Sequence, residues 1–195
     1  GYPQGENFKK FWPVAQHLIA KDILKPHGIY WPTMLKAAGI EPYSHLNVHG
    51  YWNIDSSKMS KSLGNVVKPL ELKDKYGLDA FRYFLLRDMV FGLDSNFSEE
   101  AFVQRLNSDL ANDLGNLVSR VVKMIVADFG GRMPQPDREL EGLDQLMLLA
   151  EQLPQSAYAH VKHFRITNAV SDCLNLVRAA NKFFNDTTPW LLGKT

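Results

Sequence analysis

With 195 residues, 45% of them hydrophobic and 22% charged, the chain has the composition of an ordinary folded protein of one or two domains. A net charge of +1 excludes a broad basic coat for nucleic acid, so any RNA contact must rest on a few placed side chains. No apolar run approaches the length of a membrane span, and a single cysteine, Cys173, excludes both an internal disulfide and a cysteine-based zinc cluster.

In chain order, Gln16 to Ala38 carries apolar residues at helical and short-run spacing, with breaks expected at Pro26 and Pro32. After a turn at Pro42, His45 to Trp52 reads as a short strand, which predicts a βαβ-type remnant, the closing half of a nucleotide-binding sheet. A loop over roughly 53–66 would then lie at the carboxyl end of a strand, where ligands of such sheets gather. Over 67–97 the pattern predicts a compact connector: Pro69 starts one helix, Gly77 interrupts, and Asp79 caps a second helix that buries Phe81, Tyr83, Phe84, Leu85 and Leu86.

From Ser98 the signal is helical. Ser98 is an N-cap with Glu99 and Glu100 in the first turn, followed by a stripe of Val103, Leu106, Leu110, Leu114, Leu117, Val121 and Met124, stopped by Gly130 and Gly131. A second helix is expected at about 140–163, kinked or divided by Pro154. A third runs from about 166 to 186 with Ile166, Val170, Cys173, Val177, Ala180 and Phe184 as its apolar stripe. Three stripes need one another for burial, so an antiparallel bundle follows over 98–195 and the chain is predominantly helical. On this pattern Cys173 is a buried thiol, fitting a reducing, cytoplasmic setting.

The densest chemistry lies in Lys58-Met59-Ser60-Lys61-Ser62, followed by Leu63-Gly64-Asn65. Two ammonium groups three residues apart, with hydroxyls between them and a glycine to turn the backbone, suit a loop that wraps polyphosphate. The alternative for a Lys/Ser-rich pentamer is a solvated surface loop.

These residues resemble the KMSKS signature of the class I aminoacyl-tRNA synthetases. The resemblance extends through His17-Leu18-Ile19-Ala20-Lys21-Asp22-Ile23, His27 to Leu35 and Val48-His49-Gly50-Tyr51, then Tyr76 to Phe84, Asn107 to Leu117, Ala180 to Phe183 and Pro189-Trp190. The Asn-rich helix and the terminal Pro-Trp single out the methionyl enzymes. That family implies ATP, with magnesium, methionine and tRNA as partners, and a Rossmann-type catalytic domain followed by a helical anticodon-binding bundle. Under the resemblance, 1–66 is the C-terminal half of the catalytic domain, 67–97 a stem-contact connector and 98–195 the anticodon domain. The class's His-x-Gly-His run is absent, so the chain looks like a C-terminal piece of a longer ligase, expected to be inactive alone. Oligomeric state is not readable.

The resemblance assigns Lys58, Met59, Ser60, Lys61 and Ser62 to ATP, with Lys58 and Lys61 catalytic, and Ser60 and Ser62 either donating hydrogen bonds or shaping the loop. It places Asp22 at the ATP ribose, His49, Gly50 and Trp52 beside adenine and phosphates, and Ile23 with His27 in the methionine pocket. No metal ligand is expected within the chain. Ala20 and Pro26 depart from the family, which commonly has glycine and an aromatic there.

Asn116 and Arg120, four apart on one side of a helix, suit the Watson–Crick edges of unstacked bases, and Trp190 offers a face for stacking. By resemblance they read a CAU anticodon. The alternatives are a solvated polar flank and, for Trp190, a core plug. For the chain as a whole, the rivals are a synthetase for another aliphatic amino acid and a stand-alone RNA-binding module.

Overall fold

The computed structural model describes residues 2–54, 57–58, 67–135 and 140–192. Contacts divide the chain into two compact units, Gly1–Val67 with Met89–Phe97, and Lys68–Asp88 with Ser98–Thr195. The stretch expected as a connector at 67–97 is thus divided between them.

The first unit opens with α1 (Glu6–Phe11), a 3-10 turn (Trp12–Val14) and β1 (Gln16–Ala20). A helical crossover follows: a 3-10 turn (Lys21–Ile23), a wide π turn (Pro26–Tyr30) and α2 (Trp31–Ala37). The chain returns as β2 (His45–His49), parallel to β1 with Gln16 opposite His45 and Ala20 opposite His49. The breaks expected at Pro26 and Pro32 do not form. Both prolines sit in the first positions of a helical segment, where a missing N–H costs little, and the Trp31 N–H reaches back five residues to the Pro26 carbonyl.

The strand expected to reach Trp52 ends at His49. Gly50 is buried against the backbone of Leu93, so close that a Cβ would lie 2.1 Å from the Leu93 carbonyl oxygen. The chain restarts as β3 (Trp52–Ile54), antiparallel to β4 (Ser57–Lys58) and parallel to β5 (Ser95–Asn96). Ile19 and Leu35 are the buried apolar residues of this unit.

In the second unit α3 (Pro69–Tyr76) ends at Gly77, whose φ of +90° lies in the region that favours glycine. Then come α4 (Leu78–Asp88), α5 (Glu99–Arg105), a wide π segment (Leu106–Gly115) continuous with α6 (Asn116–Phe129), then α7 (Leu143–Lys162), α8 (Ile166–Thr187) and α9 (Pro189–Leu192). Ser98 caps α5 by accepting from the Ala101 N–H at 3.1 Å, and left-handed Gly130 closes α6, as the sequence predicts. Phe84 and Phe102, both fully buried with ring centroids 5.0 Å apart, form the centre of the core, joined by Leu72, Ala169 and Leu174.

Pro154 lies within α7, so of the kink or division expected there division does not occur, and two further helical expectations are corrected. Cys173 is exposed, because α8 turns Ala169 and Leu174 inward instead. On the first helix Val103 and Leu114 are exposed while Phe102 and Asp109 are buried. The wide segment takes more than 3.6 residues per turn, so a stripe drawn at ordinary helical spacing drifts off the core.

Candidate functional site

The first unit holds an open cleft of about 710 Å³ lined by Gln16, His17, Pro26, His27, Trp31 and Met34 among others. β1 supplies one wall and the wide turn with α2 supplies the other. His27 Nδ1–H donates to the Ile23 carbonyl at 2.8 Å, so the neutral ring carries its proton on Nδ1 and keeps Nε2 as an acceptor. Trp31 Nε1–H donates to His17 Nε2 at 3.0 Å, which puts the His17 proton on Nδ1. Tyr43 holds the group together: its hydroxyl donates to the His27 carbonyl at 2.6 Å and its ring packs 4.2 Å from that of His17. The result is a mostly apolar cleft with two imidazoles in fixed tautomers. It suits a small apolar side chain carrying one polar atom. Of the two residues assigned to that pocket, His27 lines the cleft, whereas Ile23 is not among its lining residues and acts through its carbonyl on His27.

At the carboxyl ends of β1 and β2 lie Asp22, exposed in the 3-10 turn, and His49, whose Nδ1–H donates to the Gly50 carbonyl at 2.8 Å. Lys21 Nζ meets Asp94 Oδ2 at 2.5 Å, and the Tyr51 N–H donates to Asp94 Oδ1 at 2.9 Å. Lys21, with help from the Tyr51 N–H, holds the Asp94 carboxyl below its ordinary range. Gly50 therefore serves close packing against Leu93, and Trp52 begins β3. Lys58 ends β4, where it pairs with Asn53 of β3. Met59, Ser60, Lys61 and Ser62 lie outside the described residues.

In the second unit Asn116 is exposed at the start of α6. Arg120, one turn on, donates from Nη2 to Asn185 Oδ1 at 2.8 Å. Its guanidinium lies over two aromatic rings, 4.5 Å from the centroid of Phe184 and 5.5 Å from that of Trp190. Trp190 is 40% exposed in α9, so it is no core plug. A flat ring and a cation lie together, with the exposed Asn116 amide one turn earlier on the helix that carries Arg120, an arrangement suited to stacking and edge recognition of an unpaired base.

Earlier on the same helical run lies a group the sequence did not announce. Asp109 is 1% exposed and receives Tyr83 Oη at 2.7 Å, Ser108 Oγ at 2.9 Å, Arg87 Nε at 3.3 Å and Arg178 Nη2 at 3.3 Å. A third guanidinium, Arg105, is 3.8 Å away. Burial pushes the Asp109 carboxyl up, but Tyr83, Ser108 and the arginines together hold it below the ordinary carboxylate range. Burial and the Asp109 charge push the Tyr83 hydroxyl well above its usual value.

Sequence reasoning missed His17, Trp31 and Tyr43 in the cleft, the Lys21–Asp94 pair and the Asp109 cluster. Trp31 next to Pro32 was a visible signal; partners such as His17 for Trp31, 14 residues away, Asp94 for Lys21, 73 away, and Arg178 for Asp109, 69 away, were not. Among the described residues no group of three or more His, Cys, Asp or Glu could hold a metal ion, and no helix is long and apolar enough to cross a membrane.

The model of the family described as tRNA synthetases class I (M) matches residues 2–122. The methionine–tRNA ligase of Caldanaerobacter subterraneus subsp. tengcongensis is 47% identical over 189 residues, 97% of this chain. That of Clostridium perfringens is 45% identical over 194 residues, 100% of this chain. The chain spans 30% of the length of each of these relatives. Among solved structures, Mycobacterium tuberculosis methionyl-tRNA synthetase bound by methionyl-adenylate superposes with a TM-score of 0.90 and 38% identity, over 100% of this chain and 39% of that one.

Proposed function

The chain belongs to the methionine branch of the class I tRNA synthetases, and from that membership we propose that it works within a methionine–tRNA ligase, activating methionine with ATP and passing it to tRNA. The observation that carries this reading is how the candidate residues divide. Each described residue assigned to ATP or methionine lies in the first unit, and Asn116, Arg120 and Trp190 lie in the second, where the Arg120 guanidinium sits over the Trp190 ring. Activation and tRNA reading are thereby separable functions.

In the first unit, β1, the helical crossover and β2 form the closing half of a Rossmann-type nucleotide-binding sheet. Methionine enters the cleft beside His27, where the apolar walls take its side chain and the imidazole, anchored through Nδ1 to the Ile23 carbonyl, meets its soft thioether. ATP lies across the carboxyl ends of the strands, with Asp22 at the ribose and the backbone around His49 to Trp52 at the base and phosphates. Lys58 and Lys61 meet the charge that develops on pyrophosphate as the methionine carboxylate attacks the α-phosphorus. Because that charge is greatest in the transition state, these contacts raise the rate and not merely the affinity. Magnesium arrives with ATP as part of the substrate.

In the second unit the exposed patch reads the CAU anticodon: one base stacks on Trp190 while Asn116 and Arg120 address base edges. Lys61→Ala in the whole ligase tests the catalytic half of this reading. Adenylate formation should slow by on the order of 100-fold with little change in methionine affinity. An unchanged rate would return the segment to a solvated loop.

A further inference from the structure

α8 grips the helix that carries Asn116 and Arg120 at three successive places. Arg178 Nε donates to Asp113 Oδ2 at 2.9 Å while its Nη2 reaches the buried Asp109 at 3.3 Å. Asn181 Nδ2 donates to the Asp113 carbonyl at 2.8 Å. Asn185 accepts from Arg120 at 2.8 Å. Positions 178, 181 and 185 fall on one face of α8, and both helices advance in the same direction along these contacts.

The first two grips fall on the wide segment Leu106–Gly115, where the Asn116 N–H bonds to the Ala111 carbonyl five residues back. The wide turn brings the Leu110 carbonyl oxygen to 3.0 Å from where a Cβ on Gly115 would stand, so glycine fits there best. Wide turns are uncommon and cost hydrogen-bond quality, so such a run persists where surrounding contacts hold it. Asn181 occupies an Asp113 carbonyl that would otherwise seek a partner within the helix, and Arg178 ties two side chains of the segment to one guanidinium. Relaxing a single wide turn to an ordinary one would swing every later residue by about 100° around the helix axis. Asn116 and Arg120 would then leave the face they share with Trp190.

We infer that Arg178, through its two-carboxylate bridge to Asp109 and Asp113, is a positioning residue for anticodon reading: it fixes the rotation of α6 and so the direction in which Asn116 and Arg120 face. The inference rests on the reading of Asn116, Arg120 and Trp190 as the anticodon patch. Lysine at 178 would keep the charge but not the fork that spans two carboxylates.

The test is a double-mutant cycle in the whole ligase, comparing aminoacylation kcat/KM for tRNA with its own anticodon and with an altered one. Arg178→Lys should cut the ratio between the two tRNAs by about 10-fold while methionine-dependent ATP–pyrophosphate exchange stays at the parental rate. Asp113→Asn, which opens the bridge from the other side, should act in the same direction and serves if Arg178→Lys does not fold. In an Arg120→Ala background the effect of Arg178→Lys on the ratio should shrink to about 3-fold, the share left to Asn116, because one of the two residues it positions is gone. Equal losses for both tRNAs, or the same 10-fold effect with and without Arg120, would overturn the inference and leave Arg178 a stabilising contact. If Arg120→Ala itself leaves the ratio unchanged, it is the anticodon reading that fails.

Discussion

Replacing Asp109 by Asn keeps the shape of the side chain and removes its charge from the most buried polar site among the described residues. Arg87, Arg105 and Arg178 converge on that carboxylate, and Arg87 is itself only 17% exposed. The amide can still accept from Tyr83 or Ser108, but its NH₂ group would face donors on the guanidinium side. Removing one partner of a buried ion pair costs about 3–5 kcal/mol. The Arg178 side is 47% exposed, so the lower half of that range is expected. A loss of about 3 kcal/mol corresponds to roughly 6–12 °C in melting temperature for a domain of this size. Thermal unfolding of the whole ligase, followed by helical circular dichroism, measures it. The same carboxyl gives a pH signature. Its folded pKa lies below the ordinary value, so the stabilisation is complete above the unfolded pKa of about 4 and is lost as pH falls through the folded pKa. The variant should therefore lose its deficit relative to the parent in strong acid. A melting temperature within about 2 °C of the parent at neutral pH would refute the view that the Asp109 charge neutralises the cluster.

Gly50→Ala should destabilise the first unit by at least about 1–3 kcal/mol, since the new methyl would meet the Leu93 carbonyl oxygen at 2.1 Å and push away the loop carrying Asp94; wild-type stability with full exchange activity would contradict the packing. Replacing Asp94 by Asn should loosen the Lys21 and Tyr51 contacts and make that unit's stability less sensitive to acid, because the Asp94 carboxyl titrates below its ordinary range in the folded chain; acid titrations of variant and parent that coincide would count against it. His27→Leu should raise the KM for methionine in ATP–pyrophosphate exchange by about 10-fold while leaving the KM for ATP near its parental value; equal effects on both substrates would place His27 outside the methionine pocket.

Much of this was legible because local chemistry decides it. Ser98, Gly77 and Gly130 mark helix ends through capping and left-handed turns, which depend on neighbours a few residues away. The pentamer at Lys58 to Ser62 and the Asn116, Arg120 and Trp190 set carried a family resemblance that the comparisons bear out for the chain. What failed depended on distant partners. The strand stopped at His49 because Gly50 meets a backbone 43 residues away, the separation of the Tyr51–Asp94 bond. Cys173 turned outward because α8 gives its inner face to Ala169 and Leu174, and Asp109 turned inward because the arginines that satisfy it come from three different helices. A carboxylate on a helix reads as solvated unless those partners are known.

In the proposed function the two units divide the work, the second reading RNA while the first activates methionine. Trp190→Ala in the whole ligase tests it, with tRNA aminoacylation and ATP–pyrophosphate exchange measured side by side on tRNA carrying its own and an altered anticodon. A base stacked on an aromatic side chain is worth roughly 1–3 kcal/mol, so tRNA binding should weaken by about one to two orders of magnitude. The expected result is lost aminoacylation, retained exchange and poorer discrimination between the two tRNAs. Loss of exchange together with aminoacylation, or equal losses on both tRNAs, would contradict the division of labour.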